Sequence, residues 1–135
     1  MKIWQQFGSE HSANLVMIGH FKDLADASKA KGIIDAITQQ ATEDEKTGSL
    51  VVGSPSESFG SEMLKLLGSL NVGSVGPQEL EQFIYDVDVQ VAGTDMVLTT
   101  DEIEVSAFFK VMFGCGARIE VFSAHDYPKT GHGRA

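Results

Sequence analysis

The stretch from Asp86 to His125 constrains the fold of this 135-residue chain more than any other. Polar and apolar residues alternate strictly over 86–91, which places three valines on one face of a β-strand. Gly93-Thr94 suits a two-residue type II′ turn, and a second strand follows at 95–99. The sequence therefore predicts a β-hairpin here.

The hairpin register follows from the same residues. Closing a two-residue loop pairs Val91 with Met96 and Val89 with Leu98. Both pairs then share the face of the valines, and a slip of one residue would turn the second strand's apolar side chains to water. Turn and pattern thus predict one register.

A helix is predicted next, over 101–113, with Thr99 and Glu102 at capping-box spacing. Four apolar residues at offsets 0, 3, 4 and 7 form its core-facing stripe: Val105, Phe108, Phe109 and Met112. The alternation returns in a strand at 117–124, where Phe122 falls on the outer face and needs a cover.

The first half of the chain predicts one strand and one helix. An apolar run within 14–21 fits a central strand. Asp23 is a good N-cap for a helix over 23–41, whose stripe includes Leu24, and residues 42–46 are expected to be a charged loop. Residues 2–7 alternate weakly and are expected to form an extra edge strand.

Residues 47–85 are predicted to be an insertion with two helices and mobile connections. The first helix starts at 54–57, where a cap, a proline and a glutamate have helix-start spacing, and its apolar stripe runs to Leu70. The second is short and runs from Pro77 through Ile84.

Without the insertion, the element order is βαββαβ. This is the split-βαβ motif of ferredoxin-like folds, an α+β class with both helices on one face of an antiparallel sheet. We expect a single domain over 1–127 and a flexible tail at 128–135. Since this fold hosts many unrelated functions, it predicts no activity.

Two stretches, 8–16 and 117–126, resemble those of a family of small uncharacterised bacterial proteins. The resemblance covers most of the chain outside the insertion. It implies a ferredoxin-like fold but no chemistry, so it assigns no functional residue.

The amino-acid composition limits the classes of partner that the protein is expected to bind. A net charge of −9 and scattered lysines and arginines argue against nucleic acid and anionic membranes as partners. A basic protein partner remains open, although acidity for solubility is the simpler explanation. The chain shows no signal-peptide pattern and no membrane-length apolar run, which predicts a cytoplasmic protein. Cys115 is the sole cysteine and follows a helix C-terminus, an environment that disfavours a catalytic thiolate.

One candidate site depends on the topology. In a ferredoxin-like sheet the last strand runs antiparallel to the first, which brings 125–127 toward 9–12. Glu10, His11, His125 and Asp126 would then supply acids, bases or metal ligands for a small hydrolase or isomerase. The simpler alternative is that these polar groups only cap the sheet, because neighbouring strand ends gather polar loops.

Other motifs predict less. Gly53–Ser56 can hold an anion or merely cap a helix, and it lacks the lysine of a phosphate-binding loop. Asp86 and Asp88 can bind a cation but fit a solvated strand face better, and His20 fits a packed or edge histidine. No cofactor is expected.

The favoured interpretation is a non-enzymatic binding, regulatory or protein-interaction module, with a homodimer through sheet edges or faces as one form. The small enzyme is the alternative, and an acidic antagonist that docks on a basic partner is the third. A small ligand also remains open.

Overall fold

The computed structural model describes residues 15–53, 58–102 and 104–123. The elements in chain order are β1 (Leu15–His20), α1 (Leu24–Thr47), α2 (Ser61–Leu70), a 3₁₀ helix (Pro77–Ile84), β2 (Val87–Ala92), β3 (Asp95–Thr100), α3 (Ser106–Gly114) and β4 (Arg118–Ser123). The predicted edge strand at 2–7 and the tail at 128–135 lie outside these ranges.

The four strands form one antiparallel sheet in the order β2-β3-β1-β4. The helices pack together with one face of this sheet in a single large core, to which Met17, Met96 and Leu98 contribute from the strands. This arrangement confirms the predicted α+β, ferredoxin-like class, with β1 between β3 and β4.

The hairpin of β2 and β3 has the predicted register. Val91 pairs with Met96 and Val89 with Leu98. Gly93 has a φ of +64°, a left-handed conformation that glycine adopts without a steric penalty. Strand alternation and turn chemistry therefore fix this part of the fold.

A smaller apolar cluster lies on the other face of the sheet. It contains Val16, Ile18 and Val97, and Phe122 packs against it. The sequence predicts that Phe122 needs a cover on this face. Its neighbours on β1 and β3 contribute to that cover.

Helix α1 is longer than predicted and does not end in a loop at 42–46. It continues to Thr47 and stops at Gly48, which has a φ of +85°. Asp44 is buried and accepts a hydrogen bond of 2.9 Å from the Gln40 side chain, so this charged stretch is partly packed. The predicted stripe was wrong for Leu24, which is 62% exposed at the first helical position.

The other two helices begin later than predicted. Helix α2 starts at Ser61 after three non-helical residues, 58–60, whereas 54–57 lie outside the described ranges. Helix α3 starts at Ser106 rather than 101, and Thr100 Oγ1 accepts the Glu102 N–H in a local turn before it.

The stripe predicted for α3 was wrong at one position. Phe109 is 41% exposed and stacks on Phe113, with 5.8 Å between ring centroids. The buried residues of the helix are Ala107, Phe108, Val111 and Met112.

The insertion contributes to the core. The short helix predicted from Pro77 is a 3₁₀ helix, and its Leu80 and Phe83 are buried with Met63 and Leu67 of α2. The described part of the insertion therefore builds one wall of the helical layer.

Candidate functional site

The four residues of the predicted acid–base site, Glu10, His11, His125 and Asp126, all lie outside the described ranges. Their predicted proximity remains a prediction. The pairing on which it depends is present, because β1 and β4 are antiparallel and Leu15 is opposite Ser123. The first described residue of β1 thus lies beside the last described residue of β4.

Among the described residues, the most distinctive surface surrounds β2, an outer strand of the sheet. Its two-residue turn makes Ala92 and Asp95 the closing hydrogen-bonded pair. In an antiparallel ladder hydrogen-bonded and non-hydrogen-bonded pairs alternate. Val87, Val89 and Val91 therefore direct their backbone N–H and C=O groups away from β3, toward the outer edge.

A cleft of about 270 Å³ borders β2 on the helical side of the sheet. We call it the valine cleft. Its apolar lining consists of Val87, Val89, Ile34, Phe83 and Phe108, and its polar lining consists of Lys31, Asp35, Thr38 and Tyr85. The cleft exists because α1 and the 3₁₀ helix meet above β2 without covering the strand completely, and Val91 farther along is 39% exposed.

A second depression of about 290 Å³ lies beside the same strand and reaches β1. We call it the aspartate recess. The described residues that line it are Leu15, Val16, Asp86, Asp88, Thr99, Thr100 and Asp101. Three of these seven carry carboxylates and none is a lysine or arginine, so the recess favours positively charged groups.

The two depressions use alternate residues of one strand. Val87 and Val89 line the valine cleft, whereas Asp86 and Asp88 line the aspartate recess. This follows from the two-residue repeat of a β-strand, which sends successive side chains to opposite faces. An added strand would meet apolar surface on one face and acidic surface on the other.

Tyr85 places a hydrogen-bonded hydroxyl group at the end of the valine cleft. Its hydroxyl donates to Glu81 Oε2 at 2.5 Å and lies 3.1 Å from Glu104 Oε1. Burial, together with these two carboxylates, raises the pKa of the Tyr85 hydroxyl above its ordinary value. Since that ordinary value already lies well above physiological pH, the hydroxyl is a hydrogen-bond donor there.

Glu79 ties the 3₁₀ helix to α3 and so supports the wall of the cleft. It accepts from the Gly76 N–H at 2.8 Å, from Lys110 Nζ at 2.8 Å and from the Ser106 hydroxyl at 2.5 Å. Burial alone would raise the pKa of Glu79, but these hydrogen bonds outweigh it and lower the pKa.

Gln82, also in the 3₁₀ helix, caps α3. Its Oε1 accepts the buried Ala107 N–H at 2.7 Å, and its Nε2 donates to the Ser106 hydroxyl at 3.1 Å. A side chain 25 residues away in sequence thus sets where α3 begins. The 3₁₀ helix and α3 form one unit behind the cleft.

His20 lies at the end of β1 that is farther from the aspartate recess. The sequence predicted a packed or edge histidine at this position. Its Nδ1 lies 2.9 Å from Asp95 Oδ1 and its Nε2 lies 2.7 Å from Glu120 Oε1. The hydrogen bond with Glu120 and then that with Asp95 raise the pKa of His20, although burial opposes them. The imidazole therefore links β3, β1 and β4 most strongly when it is protonated.

The remaining sequence candidates have ordinary surroundings. The Gly53 N–H donates to Glu81 Oε1 at 2.9 Å, which occupies one of the predicted anion donors, and 54–56 lie outside the described ranges. Burial raises the pKa of the Cys115 thiol, in line with the expected absence of thiolate character.

The described ranges contain no group of three histidine, cysteine or acidic side chains placed to hold a metal ion. In the same residues, no helix has the length and apolar character needed to cross a bilayer.

Comparison with known protein families assigns the chain to one family. A family model, "Family of unknown function (DUF6375)", matches residues 1–134. The chain belongs to DUF6375. Membership of this family agrees with the resemblance to an uncharacterised family and assigns no chemistry. No curated protein and no solved structure matches the chain.

The sequence did not predict the valine cleft. Val87 and Val89 were identified as one face of a strand and Phe83 as part of a short helix, but their meeting with Ile34 of α1 depends on tertiary packing. The signal that was available is the two-faced pattern of β2, with valines on one side and aspartates on the other.

Proposed function

We propose that this DUF6375 protein is a non-enzymatic protein-interaction module that binds an extended segment of another polypeptide along the outer edge of β2. The main observation that supports this proposal is that the outward-facing backbone groups of Val87 and Val89 lie directly beside the valine cleft. Main-chain hydrogen bonds would provide affinity, and the cleft would select side chains, as in known strand-addition modules.

The sequence of β2 supports this role. Outer strands are commonly protected from pairing by lysine, proline or a bulge. Residues 87–92 contain no lysine or proline, and they pair one to one with β3 without a bulge. The strand therefore keeps a regular edge that accepts a further strand.

A display selection with random peptides against the full chain tests the proposal. Val89→Pro removes an outward N–H that the β2–β3 ladder does not use. Val121→Pro is the matched control, because Val121 occupies the corresponding outward position of β4 and is likewise an exposed valine of an outer strand. We expect enriched peptides to bind wild type and Val121→Pro but to bind Val89→Pro at least tenfold more weakly.

Thermal melts must first show that both variants are folded. Peptides that bind both proline variants equally well would contradict the proposal, because the edge of β2 would then be irrelevant. A selection that yields no peptide above background would contradict it also.

The small enzyme is a second candidate. The antiparallel pairing of Leu15 with Ser123, and the aspartate recess at the same end of the sheet, favour a polar site built from Glu10, His11, His125 and Asp126. Metal analysis and ligand titration of His11→Ala and His125→Ala test it. Identical metal content and ligand binding in wild type and both variants would leave no support for such a site.

The homodimer is a third possibility within the proposed module, since a second copy can also add a strand. Size-exclusion chromatography with light scattering addresses it. A monomer at all concentrations would exclude self-association and leave another protein as the partner.

A further inference from the structure

We infer that the segment bound by β2 is a basic one, with apolar and lysine or arginine residues in strict alternation. This inference rests on the proposed function and adds the chemical class of the partner. It follows from the two different depressions on the two faces of β2.

The pleat of the sheet determines which surface each side chain of an added strand meets. A strand added beside β2 continues the sheet, so its side chains alternate between the face that carries the helices and the opposite face. Those opposite Val87 and Val89 meet the valine cleft, and those opposite Asp86 and Asp88 meet the aspartate recess. One face of the partner strand must therefore be apolar, and the other must suit carboxylates.

The charge of the aspartate recess determines which side chains suit that face. Asp86 and Asp88 are exposed, and within the described ranges neither forms an ion pair with a lysine or arginine. Among the described residues, Asp88 accepts hydrogen bonds only from the Gln90 side chain, and these are long, at 3.2 and 3.3 Å. Directly opposed side chains of neighbouring strands lie about 5 Å apart, within reach of a lysine or arginine. The net charge of −9 adds a long-range attraction for a basic segment.

The same charges distinguish a basic partner strand from a second copy of this chain. Antiparallel self-pairing centred on Val89 would place Asp88 opposite Gln90 of the other copy and diagonally next to the other Asp88. Like charges in neighbouring cross-strand positions are destabilising, and two chains of charge −9 repel each other. The same face that opposes self-pairing favours a basic strand.

Fluorescence anisotropy with labelled synthetic peptides of eight residues tests the inference. The probe alternates valine and lysine. One control has the same composition with the valines in one block and the lysines in another, and the second replaces every lysine by glutamate. We expect the alternating Val/Lys peptide to bind full-length protein at least tenfold more tightly than either control.

The variants locate the binding. Val89→Pro should lose the alternating peptide, whereas Val121→Pro should retain it. Asp88→Asn and Asp86→Asn should each weaken binding about three- to tenfold, and raising the salt concentration should weaken it further in wild type. Block and alternating peptides that bind equally well would overturn the inference, because only diffuse charge attraction would remain.

Failure of the inference is distinguishable from failure of the proposed function. If selected peptides depend on Val89 but lack the alternating basic pattern, the inference is wrong and the strand-addition module stands. If light scattering shows a dimer that Val89→Pro disrupts, the occupant of the edge is a second copy, and the inference is overturned as well.

Discussion

The outer strands β2 and β4 share a sheet but have different surroundings. Each has six residues, and each presents a partly exposed valine, Val91 at 39% and Val121 at 51%. Their charges differ, because Glu120 of β4 is bound to His20, whereas Asp88 of β2 has no cationic partner among the described residues. The valine cleft and the aspartate recess both border β2.

An exposed valine on an outer strand therefore does not by itself define an interaction surface. What distinguishes β2 is the combination of outward backbone groups with a depression on each face. On β4 the carboxylate of Glu120 already has a partner within the fold, so less electrostatic energy is available to an incoming strand.

The largest expected effect concerns backbone direction within β2. Gln90→Pro removes an N–H that points toward β3 and leaves a ladder carbonyl unsatisfied, so we expect a loss of about 3 kcal/mol in the free energy of unfolding. Val89→Pro, at an outward position, should cost only about 1 kcal/mol. Urea unfolding measures both, and equal losses would mean that the assigned backbone directions are wrong.

A smaller effect is expected from the wall of the valine cleft. Lys110→Met leaves Glu79 half-buried without its cation, and we expect a loss of about 1 kcal/mol in the free energy of unfolding at pH 7. Because the pKa of Glu79 is lower in the folded state, the ionised carboxylate stabilises the fold at pH values above its unfolded pKa. This contribution is lost as the pH falls through the folded pKa. The loss should therefore shrink toward pH 3, and a loss that does not depend on pH would contradict this role.

His20→Gln tests how much the hydrogen bonds of His20 with Glu120 of β4 and Asp95 of β3 stabilise the fold. The raised pKa of His20 stabilises the fold below its unfolded value of about 6.5, and this contribution disappears as the pH rises through the folded pKa. We expect a loss of less than about 1 kcal/mol at pH 5.5 and a still smaller one at pH 8.5, because the group is partly exposed. Urea unfolding at the two pH values provides the measurement, and a larger loss at pH 8.5 would refute it.

The smallest expected effect on stability is that of Asp88→Asn. An exposed aspartate without an ion pair should change the free energy of unfolding by less than about 0.5 kcal/mol. Since the same substitution should weaken the alternating basic peptide severalfold, it separates binding from folding. A loss above about 1 kcal/mol would instead make Asp88 a structural residue.

Local patterns in the sequence predicted the sheet well. Val89, Val91 and the Gly93 turn fixed the hairpin register, because alternation and turn geometry are properties of neighbouring residues. The order of strands and helices then left the ferredoxin-like arrangement as the natural topology.

Helix ends and the binding surface were harder to predict, because distant residues determine them. Gln82 sets the start of α3, and the valine cleft combines residues of α1, the 3₁₀ helix and β2. No local pattern records such meetings. The predicted site of Glu10, His11, His125 and Asp126 lies outside the described residues and stays a prediction.

Amide hydrogen exchange, with and without the alternating Val/Lys peptide, shows whether β2 is the edge that binds the peptide. If the peptide adds a strand to β2, exchange should slow at Val87, Val89 and Val91, whose N–H groups point outward, and should not change at Ile119 and Val121 of β4. Slowing at β4, or binding without slowing at those three valines, would contradict the assignment of β2 as the interaction edge.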